Sequence, residues 1–234
     1  KIEPEGIAVT AVNNAPTFTK GGDQSVLEDA VAQTVSNWAG AISPGSSDES
    51  SQNVTFLLTN NRNALFSTQP SINAISGDLT YTPAANANGV ATVTVSLKDN
   101  EGTANGGVDT SSVQTFTIAV IGVNDAPLFD LSGDVTVSED FSPAQNVVVT
   151  PGAVPSDERD QAVSYSISPS SIDFASVSIN SSTGQVSISS VADGNGAQAF
   201  TVRASDGQSV NNTATQTFTL TVTAVNDAPI ANTQ

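Results

Sequence analysis

Gly122-Val123-Asn124-Asp125-Ala126-Pro127 is the stretch that decides the fold. Near-copies stand at Ala11-Val12-Asn13-Asn14-Ala15-Pro16 and Ala224-Val225-Asn226-Asp227-Ala228-Pro229, so the asparagine recurs after 111 and then 102 residues, at 13, 124 and 226. Each copy follows an alternating strand-forming run and precedes a short apolar step: Thr17-Phe18, Leu128-Phe129 and Ile230. A period of that length is one whole β-sandwich, far longer than a solenoid unit. The stretch therefore reads as a joint. Its proline forbids helix, and its Asn and Asp offer oxygen ligands.

Outward from the joint, the chain alternates Val, Ile, Leu, Phe and Thr with turn residues, the period-two pattern of antiparallel sandwiches. In the first repeat this predicts strands at 17–27, 32–35, 53–59, 65–67, 78–82, 90–97 and 113–120. In the second it predicts strands at 135–137, 146–150, 162–167, 176–179, 185–188, 197–204 and 214–225. Gln114-Thr115-Phe116-Thr117-Ile118 matches Gln216-Thr217-Phe218-Thr219-Leu220. Glu28 and Glu139 each lie 15 residues after their joint asparagine. The fold class expected is all-β: two tandem immunoglobulin-like Greek-key β-sandwich domains joined end to end. Residues 1–12 read as the last strand of a preceding repeat or a remnant, 13–123 as the first repeat, and 124–234 as the second, ending in the next linker.

Composition narrows the chemistry. Six basic and 23 acidic residues give a formal charge of −17, with no histidine and no cysteine. Such a surface repels phosphate backbones and anionic membranes, which argues against nucleic acid as a partner. Disulfides and thiolate sites are impossible, and the metals left are those bound through oxygen, calcium or magnesium. No apolar run approaches the ~20 residues needed to cross a bilayer, so direct membrane insertion is not expected. The chain reads as a piece of something longer.

Seven alternating strands sort the acids to two ends of each domain. Around the central joint the expected oxygen donors are Glu28 and Asn86 from the first repeat, Asn124 and Asp125 from the linker, and Asp157, Asp160 and Asp206 from the second. A second set falls at the N-terminal end of the first repeat: Asn13, Asp48, Glu49 and Asp99. A third falls at the C-terminal base of the second: Glu139, Asp193, Asn226 and Asp227. Donors arriving from separated segments suit Ca²⁺, which takes 6–8 oxygens. Without a cation they raise one another's pKa. The competing reading is turn chemistry, in which Asn and Asp satisfy loop backbones with no metal at all. Asp29 and Asp140 read as solvated neighbours, and Asp109, Asp130, Asp134 and Asp173 as surface acids.

The pattern resembles cadherin repeats, in particular the cadherin-like repeats of large bacterial surface and secreted proteins. Val-Asn-Asp-Ala-Pro is similar to the cadherin linker Asp-x-Asn-Asp-x-Pro, and Glu28-Asp29 and Glu139-Asp140 to the family's Glu-Asn. Ser156-Asp157-Glu158-Arg159-Asp160-Gln161-Ala162-Val163-Ser164-Tyr165-Ser166-Ile167 resembles its Asp-Ala-Asp loop leading into Tyr-Ser-Ile. Ala204-Ser205-Asp206-Gly207 resembles Ala-x-Asp-x-Gly, and Leu79 to Gly89 the bacterial versions. The resemblance implies calcium between repeats and a stiff extracellular extender or adhesion module on a bacterial surface. Its partners would be neighbouring repeats and a cell-surface glycan or protein, the isolated chain being monomeric. The sequence departs from the family at Pro155, Val123, Asn86 and Asn14, each lowering ligand charge.

The alternative function is a polysaccharide- or protein-binding module in which calcium only supports the fold. Trp38 could stack on a sugar or sit in the core; its absence from the second repeat favours the core. Tyr81 and Tyr165 read as core residues. Asn53-Val54-Thr55 and Asn211-Asn212-Thr213 match or nearly match glycan acceptors, a common pattern. With no histidine or cysteine, and carboxylates in a linker rather than a cleft, an enzyme is not expected. Ile7 to Val12 could pair with another copy as an orphan strand.

Overall fold

The structure is a computed structural model and describes residues 11–228. The sequence readings placed on residues 1–10, including the strand beginning at Ile7, and on Pro229 and Ile230 lie outside the described residues. The chain divides into two compact units, Lys1–Val123 and Asn124–Gln234.

In the first unit the strands are β1 (Thr17–Thr19), β2 (Gln24–Leu27), β3 (Gln33–Val35), β4 (Gly40–Ser43), β5 (Val54–Asn60), β6 (Phe66–Ile72), β7 (Leu79–Pro83), β8 (Gly89–Asp99) and β9 (Gln114–Ile121). They form a four-stranded sheet, β2-β9-β8-β5, a three-stranded sheet, β3-β7-β6, and the pair β1-β4. In the second unit they are β10 (Phe129–Leu131), β11 (Val135–Ser138), β12 (Gln145–Val147), β13 (Val149–Pro151), β14 (Ser164–Ser168), β15 (Ala175–Ile179), β16 (Val186–Ser190), β17 (Gly196–Ser205) and β18 (Thr213–Thr223). Their sheets repeat the plan: β11-β18-β17-β14, β12-β16-β15 and β10-β13.

Alternation explains the packing. Along β8, Ala91, Val93, Val95 and Leu97 point inward and are fully buried, while Thr92, Thr94 and Ser96 face the other way. Phe200, Val202 and Ala204 on β17 do the same against Phe218, Leu220 and Val222 on β18. Each unit thus closes a core of its own, as the all-β sandwich expectation required.

Two features differ from the simplest strand reading. The strand expected at 17–27 is broken into β1 and β2, and in the second repeat β10 stands ahead of the strand expected at 135–137; the first piece of each pair joins β4 or β13 antiparallel and the second runs parallel to β9 or β18. In the first unit the crossing uses Gly21, where a Cβ would lie 2.6 Å from Trp38. Trp38 is 4% exposed and donates its indole N–H to the Gly22 carbonyl at 2.8 Å, which makes it a core residue. The fourth predicted strand, placed at 65–67, extends to Ile72 despite Pro70 because it lies at a sheet edge.

Candidate metal-binding ends of the two units

Each unit gathers acidic residues where the chain comes in and where it leaves, and six of them are buried, between 3% and 8% exposed: Glu28, Glu49, Asp99, Glu139, Glu158 and Asp206. Carboxylates are rarely buried without partners. Their partners show what each does.

At the incoming end of the first unit, the Asn13 side-chain amide donates to Asp99 Oδ1 (2.9 Å) and to the carbonyls of Gly102 and Val108 (3.1 Å each). Its carbonyl oxygen accepts from the Gln52 amide at 2.9 Å. The Asn14 backbone N–H donates to Glu49 Oε1 at 2.7 Å. The incoming end of the second unit repeats this. Asn124 donates to Asp206 Oδ2 (3.1 Å) and the Val210 carbonyl (2.9 Å), accepts from Gln161 (2.9 Å), and Asp125 N–H donates to Glu158 Oε1. Asn13 and Asn124 therefore pin the incoming chain to the loops after β8 and β17. These are backbone-satisfying bonds of the kind that turn chemistry uses.

Glu158 and Gln161, like Gln52, are absent from the sequence-based sets. The signal was there: Asp48-Glu49-Ser50-Ser51-Gln52 and Asp157-Glu158-Arg159-Asp160-Gln161 share Asp-Glu-x-x-Gln. Tight turns bring residues three apart to one side, and the Gln52 and Gln161 N–H groups donate to the Glu49 and Glu158 carbonyls. Gly45 permits the burial of Glu49, since a Cβ there would lie 1.8 Å from its Oε2. Asp48, Asp157 and Asp160 stay exposed at these ends.

The two buried glutamates differ electrostatically. Burial pushes Glu49 up, but N–H donors from Asn14 and Ser46, the Ser46 hydroxyl and the Asn14 amide outweigh it and hold the carboxyl below its ordinary value. Burial pushes Glu158 up as well; the Asp125 N–H opposes this, while Asp125, Asp157 and Asp206 add repulsion, and the net shift is upward. At the first unit's end a polar hollow of about 260 Å³ is lined by Asn13, Asp48, Glu49, Gln52 and Glu101 among others. Asp99 Oδ2 is buried there without a hydrogen-bond partner.

At the outgoing ends the glutamate after the parallel strand holds the departing chain. Val123 N–H donates to Glu28 Oε1 at 2.7 Å, and Val225 N–H to Glu139 Oε1. The next residue, Asp29 or Asp140, takes φ = +60° and accepts the backbone N–H of Asn86 (2.9 Å) or Asp193 (3.3 Å). In the second unit Asp140, Asp193 and Asp227 bring carboxylate oxygens within 4.8 Å of one another. Asp227 is pushed up by burial and then by repulsion from Asp193, Glu139 and Asp140. Asp140, read from sequence as a solvated neighbour, is thus a member of the cluster. Asn226 is exposed and donates to the Asp227 carbonyl.

These donors fit a hard cation: all are oxygens, three carboxylates converge from three segments, and the repulsion among them is what a divalent ion relieves. Of the central set, Glu28 and Asn86 belong to the first unit and Asn124, Asp125, Asp157, Asp160 and Asp206 to the second.

The architecture is that of a tandem β-sandwich, with acidic residues gathered at the ends of each unit. Among solved structures the chain is similar to the extracellular cadherin domains 1–5 of protocadherin gamma B2, at 14% identity and a TM-score of 0.50, covering 92% of this chain and 40% of that one. It also matches mouse cadherin-23 EC22-24 at 16% identity and a TM-score of 0.47, covering 91% of this chain and 67% of that one. At such identity the likeness is one of fold. No protein-family profile matches the chain, and no curated protein does. No helix among the described residues is long and apolar enough to cross a membrane.

Proposed function

We propose that this chain is a calcium-stiffened extender of a large extracellular adhesion protein, carried on or secreted from a bacterial cell, and that it performs no catalysis. The observation that carries this reading is the convergence of Asp140, Asp193 and Asp227, with Asp227 held above its ordinary pKa by its neighbours. Such a set is unfavourable alone and becomes favourable around a divalent cation. Asp29, Asn86 and Asp125 hold the corresponding places in the first repeat's sequence, which extends the proposal to the linker that begins at Asn124. Calcium taken up there would hold the linker in place, the property an extender needs. Aromatic surface suited to a polysaccharide does not compete with this reading: Trp38, Tyr81 and Tyr165 are all buried.

Thermal unfolding in EDTA, in millimolar CaCl₂ and in MgCl₂ tests it. An ion binding only the folded state stabilises by about 2.7 kcal/mol at 100 times its dissociation constant. A calcium-specific rise in midpoint, reduced by Asp227→Ala, is expected. A midpoint unmoved by calcium, or moved equally by magnesium, would leave the acidic ends as turn chemistry and sink the proposal.

A further inference from the structure

The outer strands of the sheets differ in how well they are protected from pairing with another chain. Within the described residues, β5 and β6 are the long outer strands, seven residues each, whereas β14 and β15 have five. β6 contains Pro70, and its pairing with β7 slips twice. β14 presents serine at every second position and stops before Pro169. β5, Val54-Thr55-Phe56-Leu57-Leu58-Thr59-Asn60, has none of these devices. Its register with β8 runs unbroken over seven pairs, and it holds no proline, glycine or charge. The open N–H and C=O groups of such an edge are a template for another extended chain.

Two observations select which chain. First, the strand reads nearly the same in both directions about Leu57. An antiparallel two-fold pairing sets Leu57 opposite Leu57, Thr55 opposite Thr59 and Phe56 opposite Leu58. Each of those is a favourable cross-strand pair, apolar on apolar or Thr on Thr. A two-fold interface needs this kind of self-complementarity. Second, this stretch of chain carries little of the molecule's charge, and Lys98, which stands opposite Thr55 on β8, is paired with Asp109. Residues 50–77 carry one charge, Arg62, in a chain of formal charge −17. A hollow of about 430 Å³ beside the edge is lined by Leu58, Asn60, Asn63, Gln69 and Pro70 among others, with no charged side chain. Two copies can therefore approach here without setting carboxylate against carboxylate. Leu57, 46% exposed, would lie at the centre of the contact.

We infer that the first unit pairs with a second copy of the chain through antiparallel addition of β5 to β5 about Leu57. The pairing differs from the monomer expected from sequence, and it does not depend on calcium.

Sedimentation velocity of the whole chain over a concentration series, in EDTA and again in calcium, tests the association. The sedimentation coefficient should rise with concentration in both. Leu57→Lys, which sets two cations face to face, should raise the dimer dissociation constant about tenfold. The site itself is tested by crosslinking, since the chain has no cysteine. Directly opposite Cβ atoms, about 4.5–5.5 Å apart, approach disulfide reach. Leu57→Cys oxidised with diamide should give a linked dimer. Val31→Cys, at an 80% exposed position of the same unit, should remain monomeric under the same treatment. A concentration-independent monomer, or a Leu57→Cys chain that links no faster than Val31→Cys, would overturn the inference. So would self-association that Leu57→Lys leaves unchanged.

Discussion

Two differences between the repeats, Asn14 against Asp125 and the donor Ser46 against Pro155, accompany opposite electrostatics at two matching buried glutamates. Both Glu49 and Glu158 are buried and both accept the backbone N–H of the linker residue that comes after the joint asparagine, Asn14 or Asp125. Glu49 lies below its ordinary pKa and Glu158 above, with Asp125 among the groups that raise it. The sign for stability follows. A carboxyl raised on folding favours the folded state fully below its unfolded pKa and loses that advantage as pH rises through its folded pKa. In EDTA the second unit should therefore gain stability as pH falls from neutral toward the ordinary glutamate range, about 4.3. The lowered Glu49 acts oppositely: its contribution is present above that range and is lost on further acidification. Asp125→Asn keeps the backbone donor and removes one negative neighbour. In EDTA at neutral pH it should raise the second unit's midpoint, by under about 1 kcal/mol because the site is partly solvated. That gain should fade toward the glutamate range and reverse sign in calcium. Melting curves of both proteins across pH check this, and a destabilised Asp125→Asn in EDTA would refute the assignment. Sequence alone shows the Asn/Asp difference, but not its consequence, because the burial of Glu158 depends on a turn that brings it under the linker.

At the level of strands, most of the fold was legible and the joins were not. The runs at 90–97 and 197–204 alternate cleanly and appear as the central strands β8 and β17. The break in the strand expected at 17–27 was hidden, since nothing in Thr17 to Leu27 says that its halves join different sheets. The breaks leave a mark that sequence reading passed over: Asp23 and Asp134 stand one residue before the parallel pieces β2 and β11. Asp23 Oδ1 accepts the Thr117 N–H at 2.7 Å, and Asp134 Oδ1 the Thr219 N–H at 2.6 Å. Each aspartate starts its parallel ladder by meeting a donor that the strand itself does not reach. Asp134, read as an ordinary surface acid, is therefore a staple. Asp134→Ala should cost roughly 1 kcal/mol, since water can partly replace the carboxylate at this exposed site. Asp134→Asn, which keeps an acceptor, should cost less. Urea unfolding of the two variants separates these outcomes, and equal losses would assign the effect to charge rather than to the hydrogen bond.

At the scale of the whole molecule, the two hydrophobic cores share no residue: one is built from Phe18 to Val120, the other from Phe129 to Val222. Each unit should then unfold in its own transition when no ion is present. Phe200 stacks on Phe218 with ring centroids 5.2 Å apart and is fully buried. Phe200→Ala should cost the second unit about 3–5 kcal/mol. For a domain of this size that lowers its midpoint by ~12 °C or more. Leu97→Ala should do the same to the first unit, by about 2–5 kcal/mol. In EDTA, calorimetry should show each substitution moving one transition and leaving the other in place. Calcium makes the same experiment diagnostic of the proposed function. An ion held only by Asp140, Asp193 and Asp227 raises the second transition alone. A separate ion taken up at the linker as proposed, by Glu28, Asn86 and Asp125, would stabilise the first unit too, and only while the second remains folded. Phe200→Ala, by melting the second unit early, should then remove calcium's benefit from the first. Persistence of that benefit in Phe200→Ala would place the first unit's ions at the Asn13 and Asp99 end instead.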